Sequence, residues 1–82
     1  MSAVYLTRQG IHPKTGRIMA RFYKMLLAPT LFGECALVRE WGRIGRSGQV
    51  RSTAYPTAAE ANAALNRHKH AKRQRGYNVV AL

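Results

Sequence analysis

The chain has 82 residues, 46% of them apolar, with fourteen Lys and Arg against three Asp and Glu. That is enough for one domain that buries roughly 60–65% of the surface its unfolded chain exposes, and too apolar for a disordered tail. The net charge of +11 and single cysteine exclude an intramolecular disulfide and demand an anionic partner or tolerance of strong self-repulsion.

Residues 3–8 read as a short strand, with Val4 and Leu6 alternating with Tyr5 and Thr7. G-I-H-P-K-T-G, residues 10–16, reads as a loop in which Pro13 and Gly16 supply turn geometry. I-M-A-R-F-Y-K-M-L-L, residues 18–27, is an aromatic-rich strand pattern, and A-P-T-L-F-G breaks it. A third strand is predicted from Glu34 to Trp41, a hairpin turn at Gly45-Arg46-Ser47-Gly48, and a fourth strand from Gln49 to Tyr55. Cys35 falls in the apolar run C-A-L-V and reads as a small core residue.

Thr57-Ala58-Ala59-Glu60 is a capping box, in which the threonine hydroxyl caps the helix and the glutamate reaches back. The helix predicted after it is Ala-rich, runs to Arg75 and ends at Gly76, the glycine of a left-handed C-terminal cap. Ala61, Ala64, Leu65, His68 and Ala71 share one face, a lean apolar stripe suited to lying on a sheet. Y-N-V-V-A-L is a candidate last short strand. The expected fold is α+β, a small twisted antiparallel sheet of four to five strands with one helix packed across a face, in a single domain over 1–82.

Catalysis is not expected. Glu34, Glu40 and Glu60 are the whole carboxylate inventory, and acid–base work wants paired groups with separated pKa values. No metal and no cofactor are expected either. His68-x-His70 with Cys35 and His12 matches no zinc spacing, and residues two apart on a helix point about 200° apart. The expected arrangement is one histidine packing and one in solvent. No apolar run approaches the length of a membrane span, and the N-terminus lacks the pattern of a signal peptide. A cytoplasmic protein with no membrane partner is expected.

Two basic features stand out. If the third strand continues to Arg43, period-2 alternation puts Leu37, Arg39, Trp41 and Arg43 on one strand face, beside Gly42, a residue that lets another backbone approach closely. An indole between guanidiniums stacks on a sugar or base while the arginines hold phosphates, or it is a core residue beneath the hairpin, with Arg39 paired to a glutamate across the strands. Arg46 adds a cation at the hairpin corner. The second feature is the helix end R-H-K-H-A-K-R-Q-R, with Lys69, Lys72 and Arg73. One or two cations there would satisfy the helix dipole, each contributing about 0.3–1 kcal/mol; five in nine residues point to a phosphate-facing patch. The run G-R-I-G-R-S-G-Q is neither a Walker A loop nor an RNA-recognition-motif signature.

W-G-R-I-G-R-S-G-Q, residues 41–49, resembles the signature of the WGR domain family. R-F-Y-K-M-L-L at 21–27 and K-R-x-R-G-Y at 72–77 are similar to that family's strand motif and closing segment. The resemblance covers nearly the whole chain. It implies a compact twisted antiparallel sheet with one helix, and the DNA-end recognition that such domains provide in DNA-dependent poly(ADP-ribose) polymerases. It further implies that Trp41 stacks on a sugar at a strand end and that Arg43 holds DNA or a neighbouring domain. ADP-ribosyl transfer is not carried over, because this sequence has no catalytic region. The expected function is a non-catalytic nucleic-acid-binding module of the stand-alone bacterial type. Its ligand would be DNA with a preference for ends or nicks, bound through Arg39, Trp41, Gly42, Arg43, Arg46, Lys69, Lys72 and Arg73. The alternatives are an adaptor that docks an acidic protein, or an RNA binder; no small-molecule substrate is expected. With Arg21–Leu27 and Lys72–Tyr77 read alongside, Trp41 is expected to be exposed and DNA-facing.

Overall fold

A computed structural model describes residues 3–80. Met1 and Ser2, and the last two residues of the predicted final strand, lie outside the described residues. The order is β1 (Ala3–Ile11), β2 (Ile18–Pro29), β3 (Cys35–Arg43), β4 (Gln49–Tyr55), α1 (Ala58–Gln74) and β5 (Asn78–Val80). The strands form one antiparallel sheet in the order β4-β3-β2-β1-β5, and α1 packs across β2, β3 and β4. This is the α+β architecture that strand alternation and the capping box predict.

Alternation explains which face is covered. Leu6, Tyr23, Met25, Leu27, Cys35 and Leu37 turn to the same side and are buried. Complete burial of Leu6, Met25 and Leu37 contributes about 1.5–3 kcal/mol each before chain entropy is counted. The helix meets them with Ala61, Ala64 and Leu65. Two alanines in that stripe let the helix axis approach the sheet closely.

The helix ends follow local chemistry. The Thr57 hydroxyl accepts from the Glu60 amide at 3.1 Å and donates to the Glu60 carboxylate at 3.2 Å. At the other end Gly76 takes φ +94. Tyr77 N–H donates to Lys72 O at 3.0 Å and Gly76 N–H to Arg73 O at 3.1 Å, the paired bonds of a Schellman cap. That turn sends the chain back to pair β5 with β1.

Several strand boundaries differ from expectation: β2 runs on through Ala28 and Pro29, which pair with Ala36 and Cys35, and β3 runs past Trp41 to Arg43, which pairs with Arg21. β1 continues through Gly10 and Ile11, which pair with Met19 and Ile18, so the loop shrinks to residues 12–17. There the His12 imidazole accepts at Nδ1 from the amides of Lys14 (3.1 Å) and Thr15 (3.3 Å). β3 starts at Cys35 because Glu34 belongs to the preceding turn, where its carbonyl accepts from Thr30 N–H at 2.9 Å.

The glycines around Trp41 serve packing. Arg46 N–H closes on Arg43 O at 3.1 Å, and Gly45 takes φ +88 inside that turn. A Cβ at Gly42 would lie 3.0 Å from Gly48 Cα. A Cβ at Gly48 would run into the Trp41 carbonyl and come within 2.9 Å of Phe22 Cζ. Phe22, on the face away from the helix, stacks on Tyr5 with centroids 6.1 Å apart and stays buried under these bare backbones. Gly48→Ala is therefore expected to destabilise the fold by about 1–3 kcal/mol, read as a lowered denaturation midpoint with an unchanged slope.

Candidate nucleic-acid interface

The cross-strand register builds the site in rows on the helix-covered face. Leu6, Tyr23, Trp41 and Gln49 form one row across β1, β2, β3 and β4. The next row toward the hairpin ends is Arg8, Arg21 and Arg43, three guanidinium-bearing residues opposite one another. On the core side Arg39 stands between Met25 and Arg51. The last turns of α1 lie above these rows.

Tyr23 and Trp41 make the aromatic floor, with centroids 6.0 Å apart and planes 23° apart. The Arg39 guanidinium carbon sits 5.7 Å from the Trp41 ring centroid, and its Nη1 donates to the Tyr23 hydroxyl at 3.2 Å. Arg39 Nε is buried without a hydrogen-bond partner among the described residues. The expected alternative, a cross-strand pair with a glutamate, does not form, because neither cross-strand neighbour is acidic. Lys72 Nζ reaches down from the helix, 4.6 Å from the Tyr23 centroid and 5.3 Å from that of Tyr77. Each such contact contributes about 0.5–1 kcal/mol at an exposed site. A cleft of about 280 Å³ opens between sheet and helix, lined by Tyr23, Arg39, Trp41, His68, Lys72 and Arg75, with Ala71.

Charge is concentrated here. Partial burial and the positive charges of Arg75, Arg39 and Arg21 hold the Lys72 amine below its usual range. Burial, Arg39, Arg67 and Lys72 likewise push the His68 imidazole down. Arg8 lies against the helix C-terminus, since a Cβ at Gly76 would be 3.5 Å from its Nε. The carboxylates are elsewhere. Glu34 sits in the β2–β3 turn, Glu60 in the first turn of α1, and Glu40 alternates to the opposite face beside Lys24 and Val50.

The structure corrects the expected exposure of Trp41. The indole is half-buried and packs against the core cluster, while its remaining surface lines the cleft. Core packing and an open face are thus combined in one side chain. Arg39, Trp41 and Lys72 come together as predicted residues of one site. Arg43 is exposed at the end of β3, in the next row, and Arg46 is exposed in the turn beyond it. Gly42 shapes the hairpin from behind. Lys69 and Arg73 lie on other sides of the helix and do not line the cleft; Arg75, one helical turn beyond Lys72, does. His68 half-packs and His70 is exposed. Tyr23, Arg8 and Arg21 were not among the predicted site residues. Alternation within R-F-Y-K puts Arg21 and Tyr23 on the core face, but their juxtaposition with Arg43 and Trp41 needs the register between strands.

Residues 4–81 match the model of the WGR domain family. The chain belongs to the WGR domain family. That family is associated with nucleic-acid interaction. The curated uncharacterized protein y4dW of Sinorhizobium fredii is similar, 41% identical over 61 residues. The match takes in 74% of this chain and 30% of y4dW, so this WGR domain spans less than a third of that relative. No solved structure matches the chain. Among the described residues, no helix is long and apolar enough to cross a membrane.

The direction of the His68 shift gives a pH test. A bound anion would favour the imidazolium, so anion affinity of the WGR domain is expected to rise as pH falls below about 6.5. Folding responds oppositely. Because the folded-state pKa is depressed, the unfolded chain takes up the proton first, and the His68 contribution to stability falls as pH drops from 6.5 through the folded value. Both responses are expected to vanish in His68→Asn, measured by titration and denaturation at pH 5.5 and 7.5.

Proposed function

We propose that this WGR domain is a non-catalytic module that binds duplex DNA, with preference for ends or nicks. The observation that carries the reading is the floor of buried Tyr23 and half-buried Trp41, set between Arg39, Lys72 and the Arg8–Arg21–Arg43 row on a sheet face that bears no acidic side chain among the described residues. Guanidiniums in a row suit spaced phosphates. An indole with one open face suits a sugar or base freed from the stack at a discontinuity. Such contacts carry little base sequence, so preference would follow duplex structure. The non-catalytic part rests on the thin inventory of three carboxylates, with Glu60 already engaged by the Thr57 hydroxyl at the start of α1.

Trp41 is the only tryptophan, so its fluorescence reports directly. Titration with nicked or blunt-ended duplex at about 50 mM salt is expected to change the emission and to retard the duplex in a gel; neither response at that salt overturns the reading. Competition with an RNA duplex decides between DNA and RNA. Recovery of one defined protein by pull-down after nuclease treatment would favour the adaptor alternative.

A further inference from the structure

The far end of the sheet carries side chains that this reading leaves unused. Ile11 and Ile18 face each other across β1 and β2 and are 69% and 78% exposed. Alternation points both away from the helix. Ile44 lies beside Ile18 in a shallow cleft completed by Ala20, Arg43 and Arg46. The Ile44 amide donates to Ala20 O at 2.9 Å, which fixes the β3–β4 turn against β2.

Three isoleucines at one end, outside the core cluster, make an exposed apolar patch of the kind that marks a contact surface. The patch is held in shape. His12 N–H donates to Arg17 O at 2.8 Å, and the His12 ring ties down Lys14 and Thr15. Its cationic neighbours are Lys14 and Arg17 in the β1–β2 loop and Arg46 in the next turn. It is also continuous with the candidate interface, because His12, Arg17, Ile18, Arg21 and Arg43 line one cleft of about 160 Å³.

We propose that Ile11, Ile18 and Ile44 form an apolar wedge against base faces where the duplex stack is interrupted, while Lys14, Arg17 and Arg46 hold the flanking phosphates. The proposal rests on the reading of this domain as a DNA binder. An apolar wedge gains only where bases are unstacked, whereas the cations act on any phosphate. The patch therefore adds a second source of preference for broken duplex, separate from Trp41. Nucleic acid is the occupant because the cations around the isoleucines run on into the Arg21–Arg43 row, as a continuous polyanion requires.

The test compares wild type, Ile11→Ser/Ile18→Ser and Lys14→Ala/Arg17→Ala on a nicked duplex and the same duplex sealed, with 2-aminopurine beside the nick. The replaced side chains are all exposed, and thermal denaturation verifies folding. Wild type is expected to brighten the 2-aminopurine by unstacking it. The isoleucine variant is expected to lose the brightening and roughly tenfold in affinity for the nicked duplex only, with an unchanged salt slope. The cation variant is expected to weaken both duplexes and flatten the slope by about 1.8. Wild-type brightening and affinity in the isoleucine variant overturn the wedge, as does loss of binding to phosphatidylserine vesicles with DNA binding intact. Failure of wild type to bind either duplex would instead remove the DNA reading itself, and the wedge with it.

Discussion

Replacing Arg21 and Arg43 together with alanine is expected to lower duplex affinity roughly 60-fold at about 0.1 M salt, and to flatten the salt dependence by about 1.8. The magnitude follows from two phosphate contacts, each releasing close to one counterion, across the decade from 1 M to 0.1 M. Nicked and sealed duplexes are expected to lose equally, since neither arginine depends on a discontinuity. Stability is expected to move the other way. The two residues are direct cross-strand neighbours, both exposed, and like charges so placed destabilise a sheet by roughly 0.2–1 kcal/mol. A variant that melts slightly higher and binds far more weakly separates binding from folding. Anisotropy titrations at four salt concentrations, beside a denaturation curve, measure both. An unchanged slope would remove this row from the interface.

Trp41→Ala has the second large effect, and its half-buried position makes it twofold. Removing the indole takes away the stack on Tyr23 and the partner of Arg39, and exposes part of the core. A loss of about 3 kcal/mol is expected, the low end of the range for deleting a large aromatic, since the indole is only half-buried. The ratio of affinities for nicked over closed circular DNA is expected to fall toward one. Early melting alone cannot distinguish packing from binding here. Trp41→Phe can, because it keeps a ring on Tyr23 and so costs less stability than alanine, while offering a smaller face to the cleft. A phenylalanine variant that folds well but has lost much of the preference assigns the open face to binding. Full retention of the preference in both variants would confine Trp41 to packing.

The parts of this molecule that local chemistry decides were legible in the sequence. Thr57, Glu60 and Gly76 specify the ends of α1, and period-2 alternation gives the faces of β1 and β3. Gly10 and Ile11 were misplaced in a loop because G-I-H-P has turn composition, yet pairing with Met19 and Ile18 keeps them in the ladder. Tertiary pairing overrode local propensity there. The site divides the same way. Arg39 and Trp41 share a face by alternation alone, but Arg8, Arg21 and Arg43 become one row only when two registers are known. Arg73 and Arg75 look equivalent in a basic run. Helical phase relative to His68 and Lys72 turns Arg75 to the cleft and Arg73 away from it. For Trp41, core and ligand-facing roles are opposites in a pattern reading, whereas a side chain at the margin of a small core has both.

The placement of the glutamates has a kinetic consequence. Glu34 and the first turn of α1 with Glu60 lie at one end of a molecule 47 Å long and about half as wide. The Arg8–Arg21–Arg43 row, Lys14, Arg17, Arg46 and the last turns of the helix lie toward the other. The charge distribution therefore carries a large first moment along the long axis in addition to the net +11. In the field of a polyanion that moment exerts a torque, and the domain arrives basic end first, with the cleft and the hairpin tips leading. Orientation is thus biased before contact, which raises the fraction of productive encounters, and the bias fades once the Debye length, about 8 Å at physiological salt, is short compared with the molecule.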